Sequence, residues 1–219
     1  MSVKKLLVAN RGEIAIRILR AAADLGISSV AVYAQDDGAS LHRSKADEAV
    51  ALPGRGVAAY LDGPGIVALA QDRGCDAIHP GYGFLSENPE FTLACAQAGI
   101  AFVGPGAETL DMFGDKAAAR DLAERSGVPV LPGSQGAADV AAAEAFFANH
   151  GAIMIKAIAG GGGRGLRAVH AADEIAAAHA LCQAEALQAF GNGDVFVERL
   201  LQRPRHIEVQ IIGDGSGAI

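Results

Sequence analysis

Short apolar segments alternate with segments of helical periodicity through the first hundred residues, and this alternation limits the possible folds more than any other feature. Strands that alternate with helices at this spacing build a parallel sheet with right-handed crossover connections. The sequence therefore predicts a small, doubly wound α/β domain at the start of the chain. The predicted strands are residues 4–9, 29–34, 48–52, 76–79 and 100–103, and the predicted helices are residues 14–25, 65–71 and 89–98.

The second half of the chain has a different order of elements, which predicts a second zone of α+β character. A helical stretch at roughly 107–126 and an extended segment at 127–133 lead into it. A hairpin turn is expected at 214–217, and residues 218–219 begin a strand, so we expect a chain cut within a domain. The other elements predicted here are helices at 139–150 and 174–189 and strands at 194–200 and 205–212.

A glycine-rich loop lies between two strand-like arms in this second zone. An apolar run at 152–155 precedes Lys156, the glycines at 160–163 follow, and residues 167–169 form the exit arm. Glycine lets the backbone approach a ligand closely and turn several N–H groups towards one anion, and Lys156 adds a compact positive charge. The loop matches neither the Walker A nor the dinucleotide-binding pattern. We interpret it as a flap over phosphate, the alternative being a flexible linker.

Composition excludes several classes of protein. The formal net charge of −7 gives no support to nucleic-acid binding. No apolar stretch reaches the roughly 18 residues that a membrane span needs, and the N-terminus lacks the features of a signal peptide. Cys75, Cys95 and Cys182 are isolated and without metal-ligand spacing, which predicts core thiols in a reducing compartment. We therefore expect a cytoplasmic protein with no membrane partner.

Six segments together point to a known family. In order and spacing they resemble the N-terminal part of biotin carboxylase, the ATP-grasp component of acetyl-CoA, propionyl-CoA and related acyl-CoA carboxylases and of pyruvate carboxylase. The resemblance covers the whole chain, and the run from His79 to Asn88 is its most specific part. The segments are Ala9 to Arg17, His79 to Asn88, Phe102 to Pro105, Gly114 to Lys116, the glycine loop, and Pro204 to Gln210.

The resemblance implies a fold, a reaction and partners. Residues 1–113 would form a Rossmann-like pre-ATP-grasp domain, and 114–219 the first part of an ATP-grasp domain with its lid. The implied reaction uses MgATP to activate bicarbonate, through carboxyphosphate, and carboxylates biotin on a carrier protein or domain. A carboxyltransferase component would complete an acyl-CoA carboxylase, with fatty acid biosynthesis as one context. A homodimer is expected for the full-length enzyme.

The resemblance also assigns nucleotide contacts. Lys116 and Lys156 match phosphate-binding lysines, and Gly162 and Gly163 match flap positions whose backbone touches ATP. The loop departs from the family at Ile158 and Ala159, where small residues and the first glycine are usual, and at Arg164, where many relatives have lysine. We expect a stiffer flap from these changes. The segment that reads adenine would be Glu198, Arg199, Leu200 and Leu201, and His206 matches a further nucleotide contact.

Two more regions are matched with less specific roles. Tyr82 and Glu87 lie after a predicted parallel strand and match contacts to bicarbonate and biotin; ligands collect at that edge of open α/β sheets. Arg17, Arg20 and Asp24 share one face of the first helix and match a dimer contact, although a solvated face explains the pattern equally well.

The family's Mg²⁺ ligands, its general base and its arginine near biotin are expected beyond residue 219, so no catalytic residue is assigned within this chain. We therefore expect a truncated biotin carboxylase that is inactive alone. Two alternatives stay open: another ATP-grasp ligase, such as half of a carbamoyl-phosphate synthetase or a purine-pathway carboxylase, and a non-catalytic ATP-binding or dimerisation fragment.

Overall fold

The computed structural model describes residues 2–114, 116–159 and 165–213, with the side chains of residues 116 and 117 left out. The described residues divide into two compact units between Ala119 and Arg120. The sequence places the boundary slightly earlier, at 113/114, which is the end of a helix, whereas the structural division falls within the next helix.

The first unit contains a five-stranded parallel sheet, as the strand–helix alternation predicts. The strand order is β3-β2-β1-β4-β5, so the chain builds outward from β1 in one direction and then returns to add β4 and β5 on its other side. A reversal of this kind opens a crevice at the carboxyl ends of the two central strands. The strands are β1 (Lys5–Val8), β2 (Ser28–Tyr33), β3 (Glu48–Ala51), β4 (Ala77–His79) and β5 (Ala101–Phe102).

Helices cover both faces of this sheet, because successive strand residues point to opposite faces and both sets are apolar. Leu7, Val30 and Ile78 belong to one core cluster, which packs against α3 and α4. Leu6, Val8 and Ala31 belong to the other, which packs against α1. The helices are α1 (Gly12–Asp24), α2 (Gly56–Ala59), α3 (Gly63–Asp72), α4 (Pro89–Gln97) and α5 (Ala107–Gly114), with 3₁₀ turns at Gln35–Asp37 and Leu41–Lys45.

The second unit is a three-stranded antiparallel sheet with two helices on one face. The order is β7-β6-β8, and β6 and β7 form the hairpin predicted around the glycine loop. Asp139 caps the first of these helices, its Oδ1 accepting from the Ala142 N–H at 2.8 Å. The elements are α6 (Lys116–Arg125), which crosses the division between the units, α7 (Val140–His150), β6 (Ile153–Ala157), β7 (Leu166–Val169), α8 (Ile175–Phe190) and β8 (Val195–Arg199).

The helical stretch predicted at 107–126 consists of two helices, α5 and α6, with residue 115 outside the described part. One prediction about elements is wrong. The strand predicted at 205–212 is not a strand: it pairs with no strand among the described residues, and Ile207, Val209 and Ile211 are exposed. Alternating polarity produces a strand only where a ladder partner and an apolar surface are present. The turn predicted at 214–217 and the strand start at 218–219 lie outside the described residues.

The three cysteines are free and buried, as the sequence predicts. Burial raises the pKa of the Cys75 and Cys95 thiols to about 11, so both stay protonated and unreactive at neutral pH. In the part of the chain that the structure describes, every helix is too short or too polar to cross a membrane.

Candidate nucleotide site and sheet-edge site

The antiparallel sheet of the second unit packs one face against α7 and α8, and we call its opposite face, which carries charged side chains and the buried Phe196, the open face. Ile153 and Ile155 of β6 and Val197 of β8 are buried in the core with α7 and α8. The alternate residues, among them Lys156 and Glu198, therefore lie on the other face. This face carries two of the residues that the resemblance assigns to the nucleotide.

Lys156 and Glu198 form an ion pair across this open face. Lys156 is paired in the ladder with Phe196, and Met154 with Glu198, so the two charged residues are diagonal neighbours, within reach for long side chains. The exposed fractions of their side chains are 27% and 13%, so the pair is partly desolvated. The structure thus brings together two predicted nucleotide contacts, from adjacent strands, with the lysine ammonium held by a carboxylate.

Among the described residues, the backbone N–H donors that hold the end of β8 stop at Leu200. The Arg199 N–H donates to Pro132 O, and the Leu200 N–H donates to Ala152 O, both at 2.9 Å. The next N–H, that of Leu201, donates to none of the described residues. A free amide just past a strand that carries a carboxylate suits the edge of a purine base, which presents both an acceptor and an amino donor.

The arms of the glycine loop are fixed on both sides. The Ala157 N–H donates to Gly165 O at 2.8 Å, and the Ile158 N–H donates to Asp194 O at 2.9 Å. Gly165 has φ of +62°, and a Cβ there would lie 2.9 Å from the Ala157 Cβ, so glycine is required at the exit of the loop. Gly162 and Gly163, the predicted ATP contacts, lie outside the described residues.

Two other predicted nucleotide contacts lie on other segments of the chain. Lys116 is the first residue of α6, and its side chain is not described. His206 is 87% exposed, in the segment wrongly predicted as a strand, and its Nε2 lies 3.6 Å from Glu208 Oε2. Among the described residues, no group of three or more His, Cys, Asp or Glu side chains could hold a metal ion.

A second cluster of polar residues lies at the carboxyl ends of β1 and β4, where the strand order reverses. Tyr82, in the loop after β4, is exposed, and its hydroxyl donates to a carboxylate oxygen of Glu13 on α1. This hydrogen bond raises the pKa of the Tyr82 phenol, so the phenol is a donor at neutral pH. Glu87 is exposed further along the same loop.

Sequence reasoning missed the residues that shape this loop. Asn10, at the end of β1, is buried and donates to two carbonyl groups of the loop after β4. Burial lowers the pKa of His79, so its imidazole stays neutral at pH 7. The signal that could have found Asn10 is its position, since the carboxyl ends of adjacent parallel strands share one edge of the sheet.

The exposed face of α1 carries the charges that the sequence singles out. Arg17, Arg20 and Asp24 are all exposed, while Ile18 and Leu19 pack into the core. Arg17 also lines an apolar groove of about 400 Å³ between α1 and the edge of the sheet.

Two family models cover nearly the whole chain. Residues 2–110 match the biotin carboxylase N-terminal domain, and residues 115–219 match the ATP-binding domain of the carbamoyl-phosphate synthase L chain. These matches confirm the resemblance seen in the sequence.

Similar proteins are longer than this chain. Pyruvate carboxylase of Bacillus subtilis is 53% identical over 223 residues, which is 100% of this chain and 19% of that protein. A Campylobacter jejuni biotin carboxylase in complex with β,γ-ATP has a TM-score of 0.95 and 42% identity, covering 100% of this chain and 50% of that one. The biotin carboxylase domain dimer of Hydrogenobacter thermophilus 2-oxoglutarate carboxylase, with MgADP, ADP and bicarbonate, has a TM-score of 0.88 and 42% identity, covering 92% of this chain and 45% of that one.

Proposed function

Because the chain belongs to the biotin carboxylase family, with its N-terminal domain followed by an ATP-binding domain, we propose that it takes part in the ATP-dependent carboxylation of biotin with bicarbonate. The observation that carries this proposal is the Lys156–Glu198 pair on the open face of the antiparallel sheet. A cation for phosphate and a carboxylate that can accept from the amino group of a base are then supplied by neighbouring strands.

The proposed chemistry follows from where charge develops. Transfer of the γ-phosphoryl group of ATP to bicarbonate gives carboxyphosphate and ADP, and the negative charge on the phosphoryl oxygens needs fixed positive groups. We assign Lys156 and Lys116 to this role, together with the amides of Gly162 and Gly163. Lys156 exchanges its contact with Glu198 for phosphate oxygens when ATP binds. Glu198, Arg199, Leu200, Leu201 and His206 are assigned to the adenosine end.

The second half of the reaction is assigned to the edge of the first sheet. Carboxylation of biotin N1 uses the CO₂ carried by carboxyphosphate and releases phosphate. Tyr82 and Glu87, at the carboxyl edge of the parallel sheet, are our candidates for contacts to bicarbonate and biotin. The ATP-bound Mg²⁺ is not assigned to any residue of this chain.

The wider context is a multidomain carboxylase. The chain matches 19% of the length of B. subtilis pyruvate carboxylase, which is about a fifth of that protein. A biotin carrier and a carboxyltransferase would supply the remaining steps. The names of the similar proteins favour a 2-oxo acid as the final acceptor over the acyl-CoA expected from the sequence. They therefore also argue against the expected role in fatty acid biosynthesis.

Two other functions are weaker candidates. The ATP-binding domain model is named for carbamoyl-phosphate synthase, which favours another ATP-grasp ligase. However, the match over residues 2–110 is to the biotin carboxylase N-terminal domain. The exposed charges of α1 favour a dimerisation module, a role compatible with the main proposal.

A chimera tests the proposed reaction. Residues 1–219 would replace the equivalent segment of B. subtilis pyruvate carboxylase, and bicarbonate-dependent release of ADP from MgATP would be measured with free biotin. Turnover that Lys156→Met abolishes supports biotin carboxylation. A chimera that folds and binds ATP but shows no bicarbonate-dependent turnover contradicts it.

A further inference from the structure

We propose that Asn10 and Glu13 are positioning residues, which fix the loop after β4 and so present the Tyr82 phenol to the bicarbonate and biotin that the proposed function places there. The inference rests on that function, but the contacts that carry it lie wholly within the first unit.

Asn10 holds the backbone of the loop. Its side chain is 2% exposed, and its Nδ2 donates to Pro80 O at 2.6 Å and to Tyr82 O at 2.9 Å. Its Oδ1 accepts from the Arg11 N–H at 2.8 Å, so the orientation of the amide is fixed by its partners. An aspartate would place an acceptor against two carbonyl oxygens, which leaves all three groups unsatisfied.

The loop passes so close to Asn10 that Gly81 has no room for a side chain. Gly81 has φ of +67°, and a Cβ at that position would lie 2.7 Å from Asn10 Nδ2. The Gly81 N–H donates to His79 Nδ1 at 3.0 Å, which fixes the other end of the same turn. Asn10 and His79 therefore determine the direction in which the chain enters Tyr82.

Glu13 then sets the direction of the Tyr82 side chain. The ring is 61% exposed, so packing does little to hold it, and its hydroxyl donates to the Glu13 carboxylate. Because Glu13 lies in the first turn of α1, one short segment, Asn10 to Glu13, holds both the backbone and the side chain of a residue about 70 positions away.

Arg11, between them, keeps this segment in place. Its guanidinium contacts Asp37 Oδ1 at 2.6 Å, and Asp37 Oδ2 accepts from the buried Tyr60 hydroxyl at 2.7 Å. The turn after β1 is thus fixed to the end of β2 as well as to β4. The arrangement is a preorganised edge, which is the property that a substrate contact needs.

Fluorine NMR of the chain labelled with 3-fluorotyrosine tests the proposal, because the chain has only three tyrosines. Tyr82→Phe assigns the Tyr82 resonance, which we expect to move on addition of bicarbonate and free biotin. In Asn10→Asp and Glu13→Ala the concentration needed for half of the shift should rise by about two- to tenfold, the effect of one hydrogen bond. Glu13→Gln, which keeps an acceptor, should respond as the wild type does.

Matched controls separate positioning from stability. Asn192→Asp repeats the first substitution at an exposed asparagine whose Oδ1 accepts from the Asp194 N–H, and Glu90→Ala repeats the second in the first turn of α4. Both should leave the Tyr82 response unchanged. If Asn10→Asp fails to fold, the comparison of Glu13→Ala with Glu13→Gln tests the proposal by itself.

Two results would overturn the inference: a wild-type Tyr82 resonance that ignores both ligands, or a response that survives in Asn10→Asp and Glu13→Ala. If the Tyr82 response weakens in only one of these two variants, the role of the residue changed in the other variant is overturned. MgATP binding, followed on the same samples, should be equal in all variants. Its absence in the wild type would count against the proposed function, whatever Tyr82 does.

Discussion

At the scale of single residues, contacts between distant parts of the chain define both candidate sites. Lys156 was predicted as a phosphate contact from its place beside the glycine loop, and its pairing with Glu198 required knowledge of the register between β6 and β8. Asn10 received no role from the sequence, since a lone asparagine after a strand reads as a turn residue. The role that we propose for Asn10 depends on which strand lies beside β1, and the order of strands in a sheet cannot be inferred from local sequence patterns.

Gly81→Ala should destabilise the chain by about 2–4 kcal/mol, because a Cβ meets the buried Asn10 amide and the backbone has positive φ. Gly99→Ala is the matched control: φ is +71°, but nothing lies within 4 Å of the added Cβ. It should cost about 1 kcal/mol. Urea unfolding at neutral pH measures both, and equal losses would show that the contact with Asn10 contributes nothing.

At the scale of elements, local signals sufficed where each element carries its own start, stop and apolar face. The helix α4 begins with the capping Asn88 and a proline, and α1 is followed by Gly26 at φ of +69°. The strands β1, β2 and β4 are runs of apolar residues, as buried parallel strands are. The segment at 205–212 has the alternating polarity of a strand but no partner strand among the described residues, so the strand predicted there is not formed. The short helix α2 carries no such signal and was missed.

The connection between β2 and β3 should make stability depend on pH. Asp47 accepts hydrogen bonds from the Ser29 N–H at 2.7 Å and from its hydroxyl at 3.0 Å. The backbone bond is the larger cause that lowers the pKa of Asp47 below its ordinary 3.8. A lowered pKa in the folded state stabilises the fold above the ordinary value, and this contribution is lost as the pH falls through the folded pKa.

Asp47→Asn should therefore destabilise the chain at pH 7, and the difference from the wild type should vanish as the pH falls below about 3.8. Asp173→Asn, at an exposed position whose carboxyl makes no such bonds in the described structure, is a control expected to match the wild type throughout. Chemical denaturation from pH 7 to pH 2.5 measures the difference. A gap that stays constant over this range would rule out ionisation of Asp47 as the cause.

At the scale of the whole molecule, the chain is two units with separate cores, and each carries one candidate site. The first offers the carboxyl edge of a parallel sheet, and the second an open sheet face beside a glycine loop. The fold class and the family followed from the sequence, because the alternation of elements and the motifs extend over the entire chain. The contacts within each candidate site, such as Lys156 with Glu198 and Asn10 with Pro80, depend on the packing of distant segments and could not be predicted.

Self-association tests the exposed face of α1. We propose that Arg17 and Arg20 contribute to a dimer, so Arg17→Glu with Arg20→Glu should weaken dimerisation at least about tenfold in sedimentation velocity. Arg125→Glu with Arg205→Glu changes the net charge equally at exposed positions of the second unit and should have little effect. An unchanged dimer dissociation constant in the α1 variant, or a wild type that is monomeric at every concentration, would show that this face of α1 does not form a dimer contact.

Calorimetric titration of MgATP into the chain measures whether the open face binds a nucleotide. Lys156→Met removes the ammonium that lies on the open face with Glu198, and Lys5→Met is the control, since Lys5 is also a strand lysine in an ion pair, with Glu48 at 2.6 Å in the first unit. We expect saturable binding of MgATP to the wild type and to Lys5→Met. The affinity of Lys156→Met should be at least about tenfold weaker, because a charged phosphate contact is lost. Binding of equal strength in all three proteins, or none in the wild type, would contradict this expectation.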